Sequence, residues 1–539
     1  MNYKPILSIV LAGMMFSAAA QTHKEGVEYY EAGQLSNAKE LLERNLNNAG
    51  TDKAVTYYYQ GLIALDDENP AEATRLFNLG VTANPEYAYN YIGLGQIELQ
   101  KGSPKVAQEN FKKAESLGKK DAAVQVAIAR AYDSVDPALY ADEIGKRIAK
   151  ARKIDLNCPD IYIFEGDVKA RNKDYGGAGA SYEMAVNYDP KATAAYFKYA
   201  NLFSQVNPEY VINMLKKLLA DNPNSALGQR SLANAYYDQN MFKEAAEQYG
   251  KYVKNPNHFK QDEDRYAFLL FYGQDYQGGY DYATQLLNSN PDNFTAQRYQ
   301  FMNAAQLPSK SGDLLSMADA LYAKHLQNPD KNVMAPIDYT LIAEEFTTAK
   351  QPDKAVEVLN DGIKTLPNTA SFYKQLAMVY VDKDDMPQAS NAFDGFVKNT
   401  AEPGYNDMIQ GAVFAFYAGV QAKATDAAAS DAFYQQAADY ADKAAELYPS
   451  MYRPEKIKGD IALQKGDKEA TLAHYLKSIE LLEAMDDTSR YASDAKNLYN
   501  YVGNAYLDKN DKATAKRYFN GYLKYDPDNA DYRKFVDGL

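Results

Sequence analysis

Leu498-Tyr-Asn-Tyr-Val-Gly-Asn-Ala-Tyr-Leu-Asp-Lys-Asn-Asp-Lys-Ala-Thr-Ala-Lys-Arg-Tyr-Phe-Asn-Gly-Tyr-Leu-Lys-Tyr-Asp-Pro527 is the stretch that decides the fold. Residues three and four apart share one face of a helix. Tyr499, Val502, Gly503 and Tyr506 therefore line one side of a first helix, and Ala515, Phe519 and Tyr522 one side of a second. Asp508–Lys512 is a charged turn between them, and Pro527 ends the unit because it cannot continue a helix.

The same layout recurs back through the chain. Gly26 and Tyr29 lead to Ala38, Leu41 and Leu42; Tyr57, Gly61 and Ala64 lead to Ala73, Phe77 and Gly80 before Asn84-Pro85. Further units are marked by Tyr91/Gly95/Ala107/Phe111/Ala114 and by Tyr162/Gly166/Ala178/Tyr182/Ala185 before Asp189-Pro190. Others follow at Tyr196/Ala200/Phe203, Ala233/Tyr236/Ala245/Tyr249, Ala267, Tyr339/Ala343/Ala355/Leu359, Tyr373/Ala377/Tyr380/Ala389/Phe393 and Gly459/Tyr475. A small residue lets the two helix backbones of a unit approach closely, and the aromatic on the second helix fills the space toward the next pair.

These residues resemble the tetratricopeptide repeat, a helix–turn–helix unit of about 34 residues. The resemblance spans nearly all of the chain and implies an all-α protein, a right-handed α-solenoid (superhelix) of tandem helix–turn–helix units. Where the family has Trp at its first large position, this chain has Tyr57, Tyr91, Tyr162, Tyr196, Tyr339, Tyr373 and Tyr499. That accounts for much of an unusual composition, 47 Tyr and no Trp. Three stretches depart from the period: Ala122–Pro159, with an elongated second helix expected after Pro137; Phe294–Pro329, broken at Leu307–Gly312; and the Ala-rich Tyr405–Pro449, with a turn at Lys423–Ser430. The expected organisation is a segment 1–20, an N-terminal array 21–305, an irregular repeat or hinge 306–335, a C-terminal array 336–529 and a capping helix 530–539.

Segment 1–20 reads as a secretory signal: Lys4, an apolar run Ile6–Phe16 too short to span a bilayer, and Ala18-Ala19-Ala20 before Gln21. No Cys follows the expected cut, so no lipid anchor is expected, and no later run suggests a transmembrane segment. The expected location is the periplasm of a Gram-negative bacterium, or its outer membrane or exterior. The Tyr-rich, Trp-free composition and the Ala-Gln junction resemble envelope proteins of the Bacteroidota. A formal net charge of −14 disfavours nucleic acid and anionic lipid as partners. Cys158 is the single cysteine and reads as a small buried residue beside Pro159.

No residue set for catalysis is evident, and no metal or cofactor is expected. His23, His258, His325 and His474 are scattered over unrelated repeats, and there is no phosphate-binding Gly-rich loop and no nucleophile elbow. Acidic clusters such as Asp382–Asp385 lack the spacing of a calcium loop and read as turns and helix caps. The resemblance implies instead a concave groove, lined by the first helices, that takes a segment of another protein. Carried over by position, its contacts in the middle repeats are Phe197, Asn201, Arg230, Asn234, Tyr237, Phe268 and Phe271, with packing between helices the competing role for the aromatics and Asn residues. A carboxylate clamp of the chaperone-binding type is not expected, since Lys374 is followed by Met378 where Asn is needed. The functional expectation is a non-enzymatic scaffold or adaptor in envelope assembly or secretion. The alternative is glycan binding on a coplanar row of exposed aromatics.

Overall fold

The polar turns decide where each helix stops. Glu68, Lys173, Asn240, Gln274, Lys350, Asp384 and Asn510, with Gly33, Gly102 and Gly466, each sit in the left-handed region at the end of a first helix, from φ 55° at Glu68 to 78° at Gly33. This reversal closes the helix on itself: the Asn69 N–H donates to the Ala64 carbonyl (2.8 Å) and the Asp511 N–H to that of Tyr506 (2.9 Å). The next side chain then opens the second helix, Asn69 Oδ1 accepting from the Glu72 N–H and Asp511 Oδ1 from the Thr514 N–H. Asp385 caps its helix in the same way, so Asp382–Asp385 is a turn and cap.

The computed structural model describes residues 21–204 and 206–539; the expected signal segment 1–20 lies outside them. Two compact units are formed, dividing at Leu286/Leu287. The first holds the helices α1 (His23–Glu31), α2 (Leu35–Asn45), α3 (Lys53–Asp66), α4 (Pro70–Ala83), α5 (Ala88–Gln100), α6 (Pro104–Leu117), α7 (Ala122–Val135), α8 (Ala141–Ile154), α9 (Pro159–Arg171), α10 (Tyr175–Tyr188), α11 (Thr193–Phe203), α12 (Pro208–Asp221), α13 (Ala226–Asp238), α14 (Phe242–Tyr252), α15 (Glu263–Tyr272) and α16 (Tyr276–Ser289), the last running just past the division. The second holds α17 (Phe294–Ala305), α18 (Leu314–Gln327), α19 (Pro336–Thr348), α20 (Pro352–Thr365), α21 (Ala370–Asp382), α22 (Met386–Lys398), α23 (Tyr405–Ala422), α24 (Ala427–Leu447), α25 (Arg453–Lys465), α26 (Lys468–Glu483), α27 (Ala492–Asp508), α28 (Lys512–Leu523) and α29 (Ala530–Asp537). Among the described residues there are no strands, and each unit is an α-solenoid of stacked helix pairs.

One spacing governs the pairs. A Gly on the first helix faces an aromatic ring sixteen positions later on the second: 61 to 77, 95 to 111, 166 to 182, 459 to 475 and 503 to 519. A Cβ at Gly95 would lie 2.4 Å from Phe111 Cε1, and one at Gly503 2.4 Å from Phe519 Cε1. Ala233/Tyr249, Ala343/Leu359 and Ala377/Phe393 hold the same spacing with a methyl group, all nearly inaccessible to solvent.

The irregular stretches have separate causes. α8 is of ordinary length, so the elongated helix expected after Pro137 is instead a longer connection, 136–140. A 3-10 turn at Pro308–Lys310 interrupts the repeat between α17 and α18. α23 and α24 are long, 18 and 21 residues, and their turn is confined to 423–426. In the second unit the buried Asp338 carboxylate takes the Arg298 guanidinium (2.6 Å), and α29 lays Val536 against Ala515, Phe519 and Leu523.

The first unit closes on itself. α1 packs against α11 and α13 as well as against its neighbour α3. Tyr29 meets the fully buried Phe259 edge-on at 5.4 Å, and the guanidinium groups of Arg44 and Arg230 lie over that ring at 5.7 and 5.5 Å. Asn45 donates to Asn257 Oδ1, and Arg44 to the His258 carbonyl. Two carboxylates of α1 reach the start of α13: Glu25 accepts the Leu227 N–H (2.9 Å), and Glu28 accepts from Ser225 Oγ (2.8 Å) and Asn222 Nδ2 (3.2 Å). Burial pushes the Glu25 carboxyl up to about 8, Glu28 adding to the rise and the Leu227 and Ala226 N–H groups opposing it.

Two tests follow from these contacts. Gly95→Val places a branched side chain against Phe111 and is expected to destabilise the chain by about 1–3 kcal/mol, read as a lower urea midpoint, with partial recovery in Gly95→Val/Phe111→Leu. The second concerns the closure. A carboxyl with a raised folded pKa binds its proton more tightly in the closed form, so its contribution is complete below the ordinary value of 4.5 and is lost as pH rises through about 8. Hydrogen-exchange protection of α1, corrected for intrinsic rates, is expected to fall across that window in the parent and to stay level in Glu25→Gln. An unchanged slope in the variant removes Glu25 as the titrating group.

Candidate functional site

Closure turns the inner faces of the first helices into the walls of a channel. Its cavity, of about 1050 Å³, is lined by α1, α3, α5, α7, α9 and α11 together with Tyr87 before α5. This is at the upper end of the roughly 300–1,000 Å³ of small-molecule pockets, and six successive repeats contribute to it.

Tyrosines form one side. Tyr30 meets Tyr59 at 5.3 Å, Tyr59 meets Tyr58 at 5.2 Å, Tyr58 meets Tyr89 at 5.4 Å, and Tyr89 stacks on Tyr87 at 5.1 Å. Burial raises the phenols of Tyr30, Tyr59 and Tyr89 well above their ordinary range, so all three remain donors at neutral pH. Tyr59 donates to Glu31 Oε1 (2.9 Å) and Tyr30 to Asp66 Oδ2 (3.4 Å).

The charged groups are shared out unevenly. Arg130 on α7 and Lys198 on α11 both line the cavity, and both pair with one carboxylate of α9: Arg130 Nη1 lies 2.7 Å from Asp167 Oδ2 and Lys198 Nζ 2.8 Å from Asp167 Oδ1. Tyr182 donates a third bond to Asp167, and the Arg130 guanidinium lies 5.3 Å from the centre of the Phe164 ring. Glu31, Asp66 and Asp160, also on the wall, have no ion-pair partner among the described residues. Burial raises the Asp160 carboxyl, with Arg130 opposing. Cys158 beside it is buried, its thiol pushed up to about 11 by burial and then by Asp160, which makes it an inert packing residue at neutral pH.

Of the seven positions nominated from the repeat register, Asn201 alone lies on this wall, exposed on α11. Phe197 and Phe271 are 6% and 8% exposed and belong to the packing between helices, which corrects their placement in a groove. Arg230 is tied to Asp262 (2.8 Å), donates to Gln34 and covers Phe259, so its part is in the closure. Asn234 is half-buried, with Oδ1 unpartnered. Tyr237 and Phe268 do come together, ring centres 5.8 Å apart, in an aromatic group with Phe242 and Tyr272, and Arg265 lies 4.4 Å over Tyr237. The other residues that line the channel were not nominated. A signal for them is present in the adjacent tyrosines Tyr57-Tyr58-Tyr59, which one buried stripe cannot accommodate together.

Among the described residues no group of three or more His, Cys, Asp or Glu side chains is placed to hold a metal ion, and no helix is long and apolar enough to cross a membrane. His325, 2% exposed, bonds the Asn332 carbonyl, Asp361 and the Tyr339 hydroxyl, a buried structural histidine.

Residues 497–529 match the Tetratricopeptide repeat family. No curated protein matches the chain. Similar solved structures include the C-terminal part of a TPR repeat-containing protein from Cytophaga hutchinsonii, 17% identical, covering 51% of this chain and 99% of that one with a TM-score of 0.39. Another is yeast Tom70, 12% identical, covering 92% and 97% with a TM-score of 0.29. The matched segment contains the Gly503–Phe519 approach and the left-handed Asn510, and both features return pair after pair before it. Residues 497–529 form a tetratricopeptide repeat, and the helix pairs before them repeat its geometry.

Proposed function

We propose that this protein is a non-enzymatic scaffold that holds a segment of another protein in the channel of its first unit. Tetratricopeptide arrays present extended concave surfaces to protein partners. The observation that carries the reading here is the channel itself: a cavity of about 1050 Å³ walled by six repeats, with hydroxyl donors and carboxylate acceptors alternating with aromatic faces. Such a surface meets both needs of an extended segment, partners for its backbone groups and ring faces for its side chains.

The site of action we propose is the periplasm of a Gram-negative bacterium, in assembly of an outer-membrane or secretion complex. The signal-like segment 1–20 and the acidic charge support this location. Glycan binding calls for rings set side by side in one plane. Tyr58 instead meets Tyr59 and Tyr89 at interplanar angles of 75° and 60°, so the protein-segment reading is preferred.

Co-purification of the tagged chain from envelope extract is expected to recover a protein in stoichiometric amount. Ala127→Trp, which fills the channel from α7, is expected to lower that recovery at least ten-fold with unchanged helical circular dichroism. Equal recovery by the variant removes the channel as the binding site, and retention on immobilised glycan with no protein recovered replaces the scaffold reading.

A further inference from the structure

The channel carries a more specific chemistry than a general peptide groove. We propose that its occupant presents a Lys or Arg side chain, which docks between the carboxylates of Glu31 and Asp160 and against the faces of Tyr58, Tyr59 and Tyr89. This rests on the reading of the channel as a protein-binding site and specifies what that site selects.

Three observations converge. The first is charge distribution. Three Lys or Arg side chains line the cavity: Arg130 and Lys198 are both drawn to Asp167, at 2.7 and 2.8 Å, and Lys24 is exposed, so Glu31 and Asp160 are without an ion pair among the described residues. Glu31 accepts one bond, from Tyr59, and Asp160 has only a weak contact from the Cys158 thiol at 3.8 Å. The second is enclosure. Burial pushes the Glu31 carboxyl up to about 7, with the Tyr59 hydroxyl opposing, Asp160 and Glu28 adding to the rise and Arg130 opposing it more weakly, so the protein compensates its negative charge only in part. An entering ammonium or guanidinium group supplies the missing counter-charge where water screens it least. The third is the aromatic wall. Tyr58, Tyr59 and Tyr89 form a contiguous group of rings, and a cation within about 6 Å of such a face is attracted to it. The same attraction is present beside the cavity, where the Arg130 guanidinium lies 5.3 Å from the centre of the buried Phe164 ring.

The occupant is thus a basic extended segment of another protein. An acidic segment would meet Glu31, Asp66 and Asp160 with like charge, and a purely apolar one would leave those carboxylates desolvated without a partner.

The test is selection of random linear peptides on the purified chain from residue 21, at low salt. Selected peptides are expected to be enriched in Lys and Arg and to lose binding in Ala127→Trp. Their affinity is expected to fall at least ten-fold in Glu31→Gln/Asp160→Asn, and several-fold between 50 and 300 mM salt. Glu31→Gln alone, which keeps an acceptor for Tyr59, serves should the double variant not fold, and is expected to show a smaller loss in the same direction. Peptides blocked by Ala127→Trp but carrying no basic residue, or indifferent to the carboxylate variants, overturn the cation proposal while leaving the channel a binding site. Basic peptides indifferent to Ala127→Trp, or no binding peptides at all, overturn both.

Discussion

The close approach of two helices within most pairs, a glycine hydrogen or alanine methyl against a ring or leucine sixteen residues on, is the constraint on which the rest of the structure depends. Because the contact recurs at one spacing, successive pairs are joined by nearly the same rotation, and curvature accumulates along the array. A single pair has no site. It has one buried face toward its neighbour and an inner face that becomes a wall only when several others curve around it. The chemistry of the channel therefore belongs to no repeat individually: its tyrosines come from the first three pairs, its paired cations from the fourth and sixth, and the carboxylate that holds those cations from the fifth.

Accumulated curvature also brings the first helix back onto the seventh pair, and that contact is made with polar means. Glu25 and Glu28 meet N–H and hydroxyl donors at the start of α13, where the positive end of a helix offsets part of the cost of burying them. Phe259 provides the apolar half, held between Tyr29 and two guanidinium faces. A junction of this kind differs from the contacts inside a pair, where a small residue meets a buried ring and little titrates. Opening of the ring consequently responds to pH in a way that unstacking of a pair does not.

The architecture was legible in the sequence because its determinants are local. Gly503 and Phe519, the Asx caps and the left-handed turn residues all act within one repeat, so Leu498–Pro527 read alone supplies the unit and its register. The channel was not legible in the same way. Its nominated contacts were taken from the sixth to eighth pairs, where an open array presents its inner face. In the closed unit α1 lies against α11 and α13, and Arg230 is held by Asp262 and Gln34 beneath it. That contact joins residues nearly 200 positions apart, for example Arg230 to Gln34, and no local spacing announces it. The tyrosines were hidden for a related reason. One Tyr per unit fits the core register, and the extra ones at Tyr58, Tyr59, Tyr87 and Tyr89 resemble more of the same until the curved wall gives them a common face.

What separates this channel from a by-product of curvature is the way its charges are placed. An enclosed space that served only packing would be expected to pair each buried carboxylate with the nearest cation or to line itself with apolar groups, since a lone buried charge is costly. Arg130 feels the carboxylates of Asp167, Asp160 and Glu31 together, yet its guanidinium is bonded to Asp167, which Lys198 and Tyr182 already satisfy. One carboxylate thus holds two cations and a phenol, while three others, Glu31, Asp66 and Asp160, share the cavity with hydroxyl or thiol contacts and no ion pair. Packing gives no reason for that asymmetry. Recognition does, because a site that keeps Arg130 and Lys198 clamped to Asp167 leaves Glu31, Asp160 and the tyrosine faces to a cation from outside.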